Sequence, residues 1–323
     1  MTRKAYFCGC FSMPLCMEVR KNSCFAWLLA ARPKTLAGAA VPVLMGLSLA
    51  WYDLHPVAGW LFREFNWTAA ALCLLFAFVM QIAANFVNDY YDFKRGTDDE
   101  QRLGPKRACA QGWITEKAMR RGIVFTLVLA CLIGLPLVCW GGWWLIGVGL
   151  LCVVFCVLYT THFSYWGLGD LLVLVFFGIV PVCMTYYIQT GTVTMDVFCS
   201  SLACGAVIDT LLMVNNYRDR GNDRRTGKQT LVVRLGQRRA EMLYALLGVV
   251  PCLMGLFYLR DGRWLAALLP FAYLPVHLCT YRRMCRINHG RALNQILGET
   301  ARNIFLYGAL FSLGVVLDWM LFL

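Results

Sequence analysis

Residues 67–84, WTAAALCLLFAFVMQIAA, carry no charge, yet the chain turns sharply acidic in the NFVNDYYDFKRGTDDE that follows them at 85–100. The same alternation of long apolar run and short charged connector recurs along the whole sequence. Runs of membrane-spanning length fall near 25–51, 67–88, 121–140, 142–160, 170–188, 197–217, 240–259, 264–280 and 301–322. As helices rising 1.5 Å per residue they match a hydrocarbon core of about 30 Å. The pattern predicts an all-α polytopic membrane protein of nine transmembrane helices around a central cavity. The third and fourth helices meet at WGGWW, where aromatics and glycines suit a tight interfacial turn.

Composition agrees: 59% of the residues are hydrophobic, 15% are charged, and the mean hydropathy is +0.59. The basic residues then orient the chain. Of 30 Lys and Arg, 27 fall before or at the start of the first span or in and beside connectors of the same parity, and only Arg63, Arg260 and Arg263 lie on the other side. Basic connectors stay in the cytoplasm, so the amino terminus is expected there. The net charge of +12 is then largely topology, and no soluble basic surface remains for nucleic acid. The 16 cysteines are scattered through apolar runs, where a thiol packs as a small hydrophobe. Residues 1–16 are expected to be a dispensable extension and 17–323 a single membrane-embedded domain.

Helical spacing gathers the polar residues of the second run. Gln81, Asn85, Asn88, Asp89 and Asp92 share one face. Polar groups facing a bundle interior are costly and mark a functional cavity by default. The sixth run ends in NNYRDRGNDRRTGK, where Asn215, Asn216, Asp219 and Asp223 share a face, and Asp209 lies on it about 15 Å deeper. The two runs have the same parity, so both carboxylate sets emerge at the cytoplasmic side. A transporter would place such groups near the bilayer midplane instead.

Opposed carboxylates set among Lys and Arg suit Mg²⁺, which takes a few oxygen ligands from protein and others from substrate phosphates. Two such ions could clamp a diphosphate, with Lys94, Arg95, Arg102, Lys106, Arg107, Lys228 and Arg234 neutralising the rest of its charge. The bilayer setting makes that substrate a lipid diphosphate.

At these residues the chain resembles the intramembrane aromatic prenyltransferases of the UbiA superfamily. NDYYDFKRGTD resembles their first aspartate-rich motif and NNYRDRGNDRRTGK the second, and RPKTLAGAAVPVLMG and GLGDLLVLVFFGIVPVCMTYYIQTG extend the likeness. It is most similar to the branch that acts on 1,4-dihydroxy-2-naphthoate in menaquinone biosynthesis. The resemblance implies Mg²⁺ held by Asn88, Asp89, Asp92, Asp219 and Asp223, with Asp98 standing in where Gly96 replaces an acid. Asp89, Asp92, Asp219 and Asp223 would be the catalytic set. It implies ionisation of a polyprenyl diphosphate and attack on the carbocation by a small aromatic acceptor, with loss of diphosphate and CO₂. Tyr90, Tyr91, Tyr159 and Tyr217 are candidates to face the cation, and Arg32 and Lys34 to hold the acceptor carboxylate. Asn85 and Asn216 complete the expected substrate-binding residues. The loop 160–169 lacks the lysine that hydroxybenzoate enzymes carry, which argues against 4-hydroxybenzoate; it and homogentisate are the alternative acceptors. The implied setting is a bacterial inner membrane with the site mouth cytoplasmic. No protein partner is inferred.

Overall fold

The structure, a computed structural model, describes residues 19–55, 64–96, 103–163 and 165–321. Among them there is no strand, and nine helices are long and apolar enough to cross a membrane. In chain order these are α1 Cys24–Leu54, α2 Trp67–Lys94, α3 Glu116–Gly141, α4 Trp144–Thr161, α5 Gly169–Thr190, α6 Met195–Arg225, α7 Gln237–Asp261, α8 Trp264–Ile287 and α9 Leu293–Leu321. Asp98 and Arg102, like residues 1–16, lie outside the described residues.

The helices start where side chains can satisfy their unpaired N–H groups. Ser23 caps α1, Asn66 caps α2 by accepting from the Ala69 N–H at 2.8 Å, and Thr115 and Thr194 cap α3 and α6. Asp318, near the end of α9, accepts from the N–H groups of Leu265 and Ala266 at the start of α8. The Gly-Gly of the α3–α4 connection makes the expected turn, with Gly142 at φ 83°.

One feature of α1 departs from the apolar pattern. The helix breaks at Arg32, which adopts φ 52°, and Pro33–Thr35 form a short 3₁₀ turn before it resumes. Proline supplies no N–H and disfavours helix in the residue before it, so the break sits at that proline. Polar residues of α2 brace it. Asn85 donates to the Ala31 carbonyl at 2.9 Å and to the Thr35 hydroxyl at 3.0 Å.

Helix α6 is the most buried span and packs against α1, α5, α7 and α9. Its crossing with α5 is close because both helices present glycine. A Cβ on Gly178 would stand 2.6 Å from the Ser201 carbonyl oxygen and 2.7 Å from the Gly205 Cα. By contrast α4 buries almost none of its apolar surface, and Leu150, Leu151 and Val154 face outward together with Val124, Phe125 and Leu132 of α3. That is the expected face for lipid. At the end away from the acidic motifs, Asp53 pairs with Arg263 at 2.9 Å and accepts from the Tyr186 hydroxyl at 2.7 Å.

Candidate active site

The polar ends of α2 and α6 meet at the other end of the bundle. They are tied there by connectors that the hydropathy pattern leaves blank. Arg95, just past α2, donates to the carbonyls of Thr160 and Thr161 at the end of α4, and its guanidinium lies 4.5 Å from the Tyr165 ring. The Thr160 hydroxyl donates to the Asn88 side-chain oxygen. On the other side Arg218, only 4% exposed, forks onto Asp219 through two bonds of 2.8 and 2.6 Å and also reaches Asn294 of α9. Asn294 in turn donates to the Leu103 carbonyl at 2.7 Å. Helices α2, α4, α6 and α9 are thus held in one polar frame.

Within that frame three carboxylates remain near the mouth. Asp92 pairs with the buried Arg107 at 2.7 Å. Asp219 is held by Arg218 at 2.6 Å. Asp223 is 5% exposed, has Lys228 4.0 Å away, and keeps one carboxylate oxygen, Oδ2, buried with no hydrogen-bond donor. Asp219 and Asp92 both lie within electrostatic reach of it. A buried carboxylate oxygen lacking a donor is costly in a protein alone and is a fitting ligand for a cation. Among the described residues no three His, Cys, Asp or Glu side chains already converge as a metal centre. That is compatible with Mg²⁺, which uses one or two carboxylates and takes its other ligands from water and phosphate.

The cleft beside these groups is lined by Tyr159, Gly167, Gly169, Asp170, Leu212, Asn216, Lys228 and Thr230. Two connectors form its outer wall. The Gln229 N–H donates to the Tyr165 carbonyl at 3.1 Å, and Arg234 donates to the Trp166 carbonyl at 2.7 Å. Gly167 makes this approach possible: it sits at φ 76°, and a Cβ there would come within 2.3 Å of the Gln229 oxygen.

Several expected site residues take other places. Asp89 is 0% exposed, and its two oxygens accept from the backbone N–H groups of Ala108 and Cys109 at 2.9 and 3.0 Å. Its carboxylate therefore fixes the basic 103–115 connector onto α2. Burial, then the charge of Asp89, pushes the Cys109 thiol pKa up, so that thiol is inert. Asn85 braces the break in α1 rather than touching the cleft. Tyr217 is 1% exposed, with its hydroxyl on Glu241 and Asn288 and the Arg220 guanidinium 4.2 Å from its ring centre, so that face is taken. Tyr90 gives its hydroxyl to Glu116 and packs edge-on to Tyr91. Of the four tyrosines, Tyr159 alone among the described residues lines the cleft. Lys34, Lys94 and Lys106 are exposed, and Arg32 is half-buried in the α1 break. Asp170 and Arg218 are site neighbours that spacing arguments pass over, Asp170 because it stands outside both acidic motifs.

Comparison with known proteins decides what this arrangement belongs to. Residues 39–307 match the model of the UbiA prenyltransferase family. The chain belongs to that family. A UbiA-family relative in Escherichia coli, 1,4-dihydroxy-2-naphthoate octaprenyltransferase, is 36% identical over 306 residues, covering 91% of this chain and 96% of the relative. The protein of the same description in Mycobacterium tuberculosis is 38% identical over 221 residues, 68% of this chain and 72% of its own length. Among solved structures, a UbiA homolog from Archaeoglobus fulgidus bound to GPP and Mg²⁺ superposes with a TM-score of 0.59 at 13% identity, covering 89% of this chain and 99% of the homolog. The UbiA fold, all-helical and polytopic, is thus shared although few residues are.

Proposed function

We propose that this UbiA-family protein transfers a polyprenyl group from a polyprenyl diphosphate to 1,4-dihydroxy-2-naphthoate in a Mg²⁺-dependent reaction, releasing diphosphate and CO₂. The observation that carries the reading is the pair of acidic helix ends around the cleft, with Asp223 holding a buried oxygen free of any donor. The bacterial relatives described as naphthoate octaprenyltransferases support the acceptor, and the GPP- and Mg²⁺-bound homolog supports the metal.

Asn88, Asp92, Asp219 and Asp223 would hold the metal. Bound there, it supplies positive charge to the diphosphate as the allylic C–O bond breaks. Lys228, beside Asp223 at the cleft wall, adds a point charge for a phosphate oxygen. Tyr159 offers a ring face to positive charge in the cleft. The close approach of Gly167 and Gln229 in the outer wall would help to keep water from that charge. The site mouth is assigned to the cytoplasmic face of a bacterial inner membrane on the strength of the basic asymmetry.

The test is prenyl transfer by the purified chain in nanodiscs with a polyprenyl diphosphate, with and without Mg²⁺, offered 1,4-dihydroxy-2-naphthoate or 4-hydroxybenzoate. Expected are loss of turnover in EDTA and at least a tenfold preference for the naphthoate. Equal or better use of hydroxybenzoate would overturn the acceptor, and metal-independent turnover would overturn the Mg²⁺ role.

A further inference from the structure

Two carboxylates near the cleft have no part in the scheme above. Asp209 is 5% exposed, and its Oδ1 is buried with no hydrogen-bond donor. Asp170, at the start of α5, likewise keeps its Oδ1 buried without a donor. They come from different helices, and the close α5–α6 crossing at Gly178 and Gly205 brings them into each other's electrostatic field.

Their placement links them to the cleft. On α6, Asp209, Leu212 and Asn216 are spaced by three and four residues and so share one face. Leu212 and Asn216 line the cleft, so Asp209 extends that wall inward by a further turn. Asp170 lines the cleft directly, beside Tyr159. Tyr159 lies within electrostatic reach of Asp170, Asp209 and Asp92 alike, so one tyrosine neighbours both this inner pair and the outer carboxylates.

Two acceptor oxygens without protein donors, within an apolar membrane bundle, call for a donor from outside the protein. A metal is the poorer candidate, because Mg²⁺ takes its remaining ligands from substrate phosphate, and the lysine placed to hold one, Lys228, stands by Asp223. No Lys or Arg pairs with either one among the ion pairs of the described residues, so the part of a ligand that meets them must be uncharged, and any carboxylate on it must lie elsewhere. What suits the place is a neutral O–H donor on a flat ring that can lie against Tyr159. We propose that Asp170 and Asp209 receive a phenolic hydroxyl of the aromatic acceptor and so make the enzyme selective for hydroxylated rings. This rests on the prenyl-transfer reading above and deepens it: Asp223 and Lys228 serve the diphosphate, and the inner pair serves the ring. A site built to hydrogen-bond a substrate hydroxyl rejects an analogue lacking it far more strongly than an apolar pocket can.

The experiment compares 1,4-dihydroxy-2-naphthoate with 2-naphthoate, which keeps the ring system and carboxylate but has no hydroxyl. Binding is measured anaerobically on the full chain in nanodiscs with geranyl diphosphate and Mg²⁺. Wild type should bind the dihydroxy compound at least tenfold more tightly. In Asp209→Asn and Asp170→Asn that gap should fall below threefold and acceptor KM should rise at least tenfold, with KM for geranyl diphosphate within twofold of wild type. Thermal unfolding of each variant confirms that it is folded. Should neither variant accumulate, the wild-type gap decides, and a gap under threefold overturns the proposal. A wild type that transfers no prenyl group overturns the functional reading and this one with it. An active wild type whose discrimination is unchanged in both folded variants overturns this one alone.

Discussion

Asp89 on α2 and Asp219 on α6 are assigned opposite work, and a matched pair of substitutions separates them. Asp89→Asn leaves only one carbonyl-type oxygen for the N–H groups of Ala108 and Cys109. One buried donor is then unsatisfied, at a cost of about 1–3 kcal/mol. Thermal unfolding should shift down accordingly, while the Mg²⁺ concentration for half-maximal turnover stays within about threefold. Asp219→Asn should do the reverse. Its carboxylate is 31% exposed at the mouth, so folding should hold, but the Mg²⁺ requirement should rise by tenfold or more. A metal titration of both variants beside their melting curves checks the pair. Spacing alone places Asp89 and Asp92 on one face, as they are; it cannot tell that backbone N–H groups from a loop 19 and 20 residues on will claim the Asp89 carboxylate. The same limit explains Tyr217 and Asn85, whose partners are distant in sequence. The shared placement of Asn88, Asp92, Asn216, Asp223 and Lys228 around one cleft was legible, because it follows from helix periodicity and charge type.

At the scale of elements, all nine helices are visible in the hydropathy pattern, with ends that run further. α6 continues to Arg225 and α8 to Ile287, beyond apolar limits near 217 and 280. An apolar run reports how much of a helix meets lipid, whereas a cytoplasmic extension has polar residues satisfied by caps and neighbours. The break in α1 was hidden for a related reason: apolar residues continue on both sides of it, and its bracing from Asn85 is tertiary. Helix contacts also sort the glycines. Gly178→Ala pushes a methyl group against the α6 backbone and should destabilise by about 1–3 kcal/mol. Gly149→Ala on α4 meets nothing within 4 Å and should be neutral or stabilising by up to about 1 kcal/mol. Unfolding in a common detergent, followed by circular dichroism, compares them directly.

Across the whole molecule, the orientation assigned from basic residues predicts opposite accessibility for two connectors. After accessible native cysteines are removed, Arg291→Cys, exposed between α8 and α9, should react with an impermeant thiol reagent only in inverted vesicles. Thr192→Cys, exposed between α5 and α6, should react only in intact cells. The reverse result would turn the molecule over and put the acidic mouth outside.

The nearly bare outer surface of α4 makes the bilayer itself a structural partner. At 18 residues α4 is the shortest span, about 27 Å of helix against a core of about 30 Å. With few protein contacts to hold its depth, hydrophobic mismatch is left to the lipid, which must thin locally or tilt the helix. The far end of this same helix carries Tyr159 and Thr160 into the polar frame around the cleft. Membrane thickness therefore bears on active-site geometry. In vesicles whose phosphatidylcholine acyl chains are lengthened stepwise from 14 to 22 carbons, turnover should peak at the shorter lengths and decline severalfold towards the longest, with the fold intact throughout. A flat profile would show that α4 sits at a depth set by the protein alone.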